Sequence, residues 1–480
     1  MPLLPRSNRL RVEIHLSNET PGCVGTYTTG DRIQGTVTIT ADHDIPFEDI
    51  SISLRGSSKT AMERVSSIRG VKRARHNFLQ LDQPIHNANL LSPRIFQAGC
   101  LYVFPFTFSI PGSLVPQSCF HPTASPLVQR SHLLLPPTLG DAMVTSEGRN
   151  LPDDMCPDAC QIVYLIQVSI TDSSDIPTDS PKTLALVGKK LRILPAFDEQ
   201  PPLNIAEDDE YYRFHTVSYV KRGLLREKVG RLEVTASQPI ALKLPRPGSS
   251  SDDAEISTKT TMALRFTPEG DEKPPQLENL SIKLKACTFF AANYWSNTPT
   301  NPHGLVLPPS DEAVYTKTVP VLSSSVSSVQ WTPVPDEKMS CRDSRTSTES
   351  TAATAKTYYT ASITAPIILP RHKTYVPTFH SCLISRVYSL DLKLSYHAPN
   401  THLLSESTSL RLPLQICSPY SATEHTGVTV SLALENMKDE YPLNSIDFPP
   451  QHVRYFEPII VSLTPSEHSG ASTAAITGDN

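Results

Sequence analysis

The 480-residue chain contains no run of about 18 apolar residues, so no transmembrane helix is expected. Its start, Met1-Pro2-Leu3-Leu4-Pro5-Arg6-Ser7, lacks the apolar stretch of a signal peptide, and the expected compartment is the cytosol. Basic charge is not in excess. The formal net charge is −5, which argues against general nucleic-acid binding, a task that needs cations to displace counterions. Nine cysteines are present but follow no repeating frame, so a disulfide scaffold is not expected in that setting. Gly-x-Ser-x-Gly and the glycine-rich phosphate loops are absent, as is any long amphipathic helix or internal repeat. No catalytic constellation, cofactor or metal is expected.

Proline is plentiful: 44 residues, roughly 9% of the chain against a usual ~5%. Proline removes a backbone donor and breaks helices, which favours short strands joined by irregular loops. Period-two alternation is the main structural signal. It runs through Leu10, Val12, Ile14 and Leu16, and through Ile50, Ile52 and Leu54 with Ser51 and Ser53 on the other face. Phe104, Phe106, Phe108 and Ile110 alternate in the same way and are read as core. Ile162 to Ile170 and Leu184 to Leu194 close the first half, and Val128 to Leu135 suggests one helical turn. Strands resume with Leu232 and Val234, Met262 to Phe266 and Leu280 to Ala286, and end with Tyr388 to Tyr396 and Leu410 to Ile416. Many short strands separated by turn signals indicate an all-β chain of two β-sandwiches.

Composition divides the chain. Residues 9–195 form the first expected domain and 211–417 the second. Between them, 196–210 carries Pro201-Pro202 and the acidic run Glu207 to Glu210, which suits an extended linker. Three stretches read as poorly ordered: Pro245 to Ser257, Pro333 to Lys356, and most of the tail 418–480. Within the tail, Val428 to Leu434 alternates and is a candidate edge strand.

Several groups invite a chemical reading. Ser118, Cys119 and His121 hold the right residue types for a nucleophile and its base. Neighbours on an extended segment point to opposite faces, so local hydrogen bonding within a loop is the expectation. Cys156 and Cys160 lie beside Asp153, Asp154 and Asp158, but no second ligand pair matches their spacing, and two reduced thiols in a loop are expected. The sequons at Asn18 and Asn279 carry little weight without a secretory signal. From Arg64 to His76 the chain is basic, with Arg69, Lys72, Arg73 and Arg75 and no acid. Such a loop can touch anionic lipid, grip phosphorylated tails, or simply be solvated between strands. A second cluster, Lys221, Arg222, Arg226 and Lys228 with Arg231, is placed near the hinge, with interdomain ion pairs or a ligand as its readings.

Certain motifs are more specific. The stretch from Phe104 combines a strand, Pro111-Gly112, then Leu114-Val115-Pro116-Gln117-Ser118-Cys119, His121-Pro122 and His132 to Asp141. In the second half stand Tyr211-Tyr212-Arg213-Phe214, Lys221 to Leu225, Val229 to Val234 with Ser237 to Ile240, and Pro377 to Leu390. Together they resemble fungal arrestin-like proteins of the alpha-arrestin type, over about Leu10 to Ile416. The resemblance implies two immunoglobulin-like β-sandwiches in tandem, joined by a short hinge. It also implies a non-enzymatic adaptor in endocytosis or protein transport, binding the cytosolic tails of membrane proteins, with peripheral recruitment to the plasma membrane or endosomes. Many fungal members recruit a WW-domain ubiquitin ligase through PPxY. Here the double prolines at 136, 201, 274, 308 and 449 are followed by other residues, as in Pro449-Pro450-Gln451-His452. A ligase link is therefore expected to be indirect, and a sorting scaffold with no ligase is the alternative.

Overall fold

A computed structural model describes residues 10–17, 25–63, 70–85, 93–141, 143, 151–172, 182–199, 205, 209, 211–222, 227–246, 255–299, 311–335, 357–399, 405–418 and 459–462. Ten strands precede residue 195. They are β1 (Leu10–Leu16), β2 (Thr26–Tyr27), β3 (Arg32–Ala41), β4 (Ile45–Pro46), β5 (Asp49–Glu63), β6 (Val71–Asp82), β7 (Ile95–Phe96), β8 (Cys100–Ser109), β9 (Cys160–Asp172) and β10 (Lys182–Ile193). One helix, α1 (Pro126–His132), sits in the long connection between β8 and β9. Then come β11 (His215–Arg222), β12 (Glu227–Ala236), β13 (Leu242–Lys243), β14 (Ser257–Pro268), β15 (Gln276–Ala291) and β16 (Glu312–Ser325). The series ends with β17 (Thr332–Pro335), β18 (Thr357–Ile368), β19 (Phe379–His380), β20 (Ile384–His397), β21 (Ser405–Leu414), β22 (Ile416–Cys417) and β23 (Ile459–Ser462).

The alternating sequence explains the layers. In the first sandwich one sheet has the order β1-β3-β8-β23 and the other β2-β10-β9-β5-β6. Alternate residues of β3 and β8 are buried, and Phe104, Phe106, Phe108 and Ile110 are at most 4% exposed, so the aromatic stripe is core. These side chains share one cluster with Ile52, Leu54, Tyr164 and Ile166 of the facing sheet. The second sandwich pairs β11-β12-β14-β18-β17 with a sheet of order β16-β15-β20-β19, to which β21 adds beside β20. Its core gathers Leu232, Val234, Leu264, Phe266, Ile282, Leu284, Leu390 and Leu392. Both cores use glycine to admit a ring. A Cβ on Gly35 would stand 2.6 Å from the Phe106 ring, and one on Gly230 2.4 Å from the Phe266 ring.

The helical turn suggested at Val128 is present as α1, with Ser125 as its N-cap accepting from the Val128 amide. Three expectations need correction. Thr332–Pro335 falls partly within a stretch read as poorly ordered, yet it pairs with Tyr358 and its neighbours as an edge strand. An edge tolerates Pro333 and Pro335 because one side needs no ladder donor. In the tail, Ile459–Ser462 pairs antiparallel with Val103 to Cys100, so the tail returns to the first sandwich. Val428 to Leu434 lies outside the described residues. The supposed linker is also tied down at its start. The Ala196 amide donates to Thr29 Oγ1 at 3.0 Å and the Phe197 amide to the Ser418 carbonyl at 2.8 Å. At its far end Asp209 accepts from the amides of Tyr211 and Tyr212.

Candidate functional site

The connection between β8 and β9 is the most elaborate part of the first sandwich, and it meets the second. Its first part closes on itself, because the Leu114 amide donates to the Leu133 carbonyl at 2.7 Å. Pro116 starts a single 3-10 turn, Pro116–Ser118, which ends at Cys119. Ser118 Oγ donates to the Phe78 carbonyl at 2.7 Å, and His76 Nε2 donates to the Ser118 carbonyl, also at 2.7 Å. With its hydroxyl spent on a carbonyl, Ser118 is not paired with a base.

Cys119 meets His121 within the loop. Its sulfur lies 3.4 Å from His121 Nε2 and 3.6 Å from His132 Nδ1. Residues 119 and 121 are two apart and share a face, and the 3-10 turn aims that face at α1. The fourth member comes from the second sandwich. Cys382 sits in the turn between β19 and β20, where its carbonyl accepts from the Trp295 amide at 3.0 Å. The ligand atoms of Cys119, His121, His132 and Cys382 all lie within 4.8 Å of one another. Cys119, His132 and Cys382 are buried. His121 is stacked on Tyr294 of the second sandwich, with ring centroids 4.7 Å apart and planes 10° apart. Beyond His132, its Nε2 is 3.0 Å from His380 Nε2.

Burial governs the electrostatics of this cluster. It pulls His132 down to about 4 and His380 down to about 3, so both imidazoles are neutral near pH 7. The same desolvation lowers His121 and raises both Cys119 and Cys382. A thiol pushed upward is a poor nucleophile at neutral pH. The donor set of two sulfurs and two imidazole nitrogens instead suits a soft or borderline metal cation.

A second junction lies at residues 151–159. Here Met155 is inserted into the core of the second sandwich, 1% exposed, with φ at 61°. A non-glycine residue in that region carries backbone strain of about 1–3 kcal/mol, and packing holds it there. Arg386, fully buried in β20, donates from Nη1 to the Asp154 carbonyl at 3.0 Å and from Nη2 to the Met155 carbonyl at 3.2 Å. Its Nε donates to Thr288 Oγ1 at 2.9 Å. Lys373 pairs with Asp153 at 2.8 Å, and the Thr374 amide donates to the Asp153 carbonyl at 3.0 Å. Cys156 and Cys160 are 3.4 Å apart through their sulfurs, with Cys160 opening a strand rather than lying in a loop. The adjacent Asp154 carboxylate is taken by the amides of Gly140 and Cys156, and that of Asp153 by Lys373 and the Met155 amide.

The basic clusters are rearranged by the fold. Arg69 is outside the described residues. From Val71 onward the segment is strand, not loop, because the alternation of Ala74, His76 and Phe78 buries one face. Lys72 falls on that inward side and pairs with Asp311 of the second sandwich at 3.0 Å, with Asn293 at 3.1 Å. Arg73 and Arg75 point outward from β6, which ends its sheet. Among the three described residues, Lys72 faces the second sandwich while Arg73 and Arg75 face outward. Arg226 also lies outside the described residues. Lys221, Arg222 and Lys228 are on the β11–β12 hairpin, at the end of β11 remote from the linker, about 23 Å along the strand. Arg222 pairs with Glu272 at 2.9 Å and Glu227 at 3.3 Å, and Lys228 lies 4.4 Å over the Tyr219 ring. These contacts are within the second sandwich, so the hinge role is not supported by their placement.

The sequence reading missed the four-residue cluster. A signal was present: Cys119-x-His121 and His380-x-Cys382 are two pairs at the same spacing, with His132 between them. Only the fold brings residues 121 and 382 together.

Residues 14–192 match the family model of the arrestin (or S-antigen) N-terminal domain. No curated protein matches the chain. The match covers the first sandwich and supports an arrestin-like family. The nearly all-β architecture of successive sandwiches agrees with tandem arrestin-like domains.

Proposed function

We propose that the chain is a non-enzymatic, arrestin-like adaptor of the fungal alpha-arrestin type. It acts in the cytoplasm and binds the cytosolic tails of membrane-protein cargo during endocytosis or protein trafficking. Its domains are 9–195 and 211–417, with 196–210 between them and the tail 418–480 after them. One observation carries the reading. Strand β8 receives Ile459–Ser462 of the chain's own distal tail as an antiparallel partner. An edge that accepts one extended segment through main-chain hydrogen bonds accepts others with little demand on their sequence. Cargo tails then compete with β23, and phosphorylation of the Ser/Thr-rich tail shifts the competition by adding about −1.5 to −2 charge per site.

The test compares the full chain with one ending at Ser418, against a labelled peptide of residues 457–464. The shortened chain should bind the peptide and the full chain should bind it more weakly. Equal, negligible binding by both would remove the edge from the mechanism.

A ubiquitin ligase is reached through a second adaptor, because none of the double prolines carries the tyrosine of a PPxY motif. The same feature favours, as a second reading, an endosomal-sorting scaffold with no ligase. Weak or absent binding of residues 418–480 to isolated WW domains is expected. Tight binding lost in Tyr420→Ala or Pro449→Ala would instead place the ligase contact in this chain.

A further inference from the structure

We propose that Cys119, His121, His132 and Cys382 bind one zinc ion, which ties the loop of the first sandwich to the β19–β20 turn of the second. The four ligand atoms already lie within 4.8 Å of one another, three supplied by one sandwich and one by the other. Tetrahedral zinc, with sulfur at ~2.3 Å and nitrogen at ~2.0–2.1 Å, separates a ligating sulfur from a ligating nitrogen by about 3.5 Å. The Cys119 sulfur stands 3.4 Å from His121 Nε2 and 3.6 Å from His132 Nδ1. No two of the ligand atoms are more than 4.8 Å apart, so reaching tetrahedral edges of ~3.3–3.8 Å takes a closure of at most about 1.5 Å, a side-chain adjustment.

The surroundings orient both imidazoles for the task. His121 Nδ1 is 3.3 Å from the Pro122 carbonyl, which only accepts, so the proton belongs on Nδ1 and the Nε2 lone pair faces Cys119. His132 turns Nδ1 to Cys119 and has Nε2 3.0 Å from His380 Nε2, so a zinc ion on Nδ1 requires the His132 proton on Nε2, where the His380 lone pair can accept it. Each metal-facing nitrogen thus has an outer partner on the other nitrogen, the arrangement found around ligating histidines, and for His121 that partner sets the tautomer. No carboxylate belongs to the cluster among the described residues, and two sulfurs with two imidazoles select zinc over magnesium or calcium. Four protein ligands leave no open position, so the ion is structural rather than catalytic. On binding, the Cys119 and Cys382 thiols lose one proton each to solvent, and two Zn–S and two Zn–N bonds form with no redox change.

The full chain, purified under reducing conditions without added metal, should carry one zinc per molecule by elemental analysis. Cys382→Ser and Cys119→Ser should lower zinc affinity on the order of 100-fold, and Cys156→Ser should leave it unchanged. His380→Gln, which touches no ion, should weaken binding about 10–100-fold through His132. A variant that misfolds does not decide the matter, because cobalt exchanged into the parent gives an independent readout. Tetrahedral ligand-field bands with thiolate-to-cobalt charge transfer are expected. A metal-free parent that fails to take up zinc, a Cys119–Cys382 disulfide in the reduced preparation, or cobalt spectra without thiolate ligation would each overturn the proposal.

Discussion

The two junctions between the sandwiches hold by different chemistry. At the 151–159 junction a permanently charged guanidinium, Arg386, grips backbone carbonyls of Asp154 and Met155. At the α1 junction neutral imidazoles and thiols converge, and only a partial bond network joins them. The first needs nothing from solution. At the second, the Ala124 amide donates to the Ser296 carbonyl at 2.8 Å and Phe379 and Leu383 pack into the first core, while the four-ligand set is filled only by a cation. One contact is therefore complete in the fold, while the other is strengthened by what the fold has bound.

Removing Arg386 should give the largest effect. Arg386→Leu leaves the Asp154 and Met155 carbonyls buried without their donor, at a cost of about 3–5 kcal/mol. Chemical denaturation should show the loss, and a parent-like midpoint would break the contrast. Phe106→Ala should cost a similar ~3–5 kcal/mol from the cavity it leaves. That loss belongs to the first core alone, so it should persist unchanged when the chain is treated with a chelator. Treating the parent with a chelator should lower its melting temperature, and the same treatment should not affect Cys382→Ser. A drop of equal size in both would detach the effect from the cluster.

The Asp153–Lys373 pair sharpens the comparison through pH. The hydrogen bond from Lys373 is the leading cause that holds the Asp153 carboxyl below its ordinary value. Its contribution is present above the unfolded-state value and lost as pH falls through the folded one. Lys373→Met should flatten that part of the acid stability profile, measured by unfolding at a series of pH values. Smallest of all, Lys72→Ala should change stability by less than ~1 kcal/mol, since its pair with Asp311 is partly exposed. Arg73 and Arg75 remain exposed on the outer face of β6. Replacing both with Ala should weaken sedimentation with anionic vesicles, most at low salt, whereas equal binding would leave β6 as plain surface.

The layers were legible because burial imposes a period of two, as Phe104 to Ile110 shows. Thr357–Ile368 was not recognised as a strand, because its first residues are half exposed and carry little alternation. The basic residues were misplaced for a related reason. A run of like charges looks like one patch in sequence, but a strand sends Lys72 one way and Arg73 the other. The motif stretch from Phe104 to Asp141 contains Cys119, His121 and His132, but as sequence it points to family and fold and not to a metal site. Cys119 and Cys382 are 263 positions apart, and the shared spacing of Cys119-x-His121 and His380-x-Cys382 does not by itself say that the two pairs meet.

The most direct test of two sandwiches joined at both junctions is scanning calorimetry of the full, zinc-replete chain. One transition, with calorimetric and van't Hoff enthalpies equal, is the expected result. Two separated transitions, unmoved by Arg386→Leu or by chelation, would contradict the account.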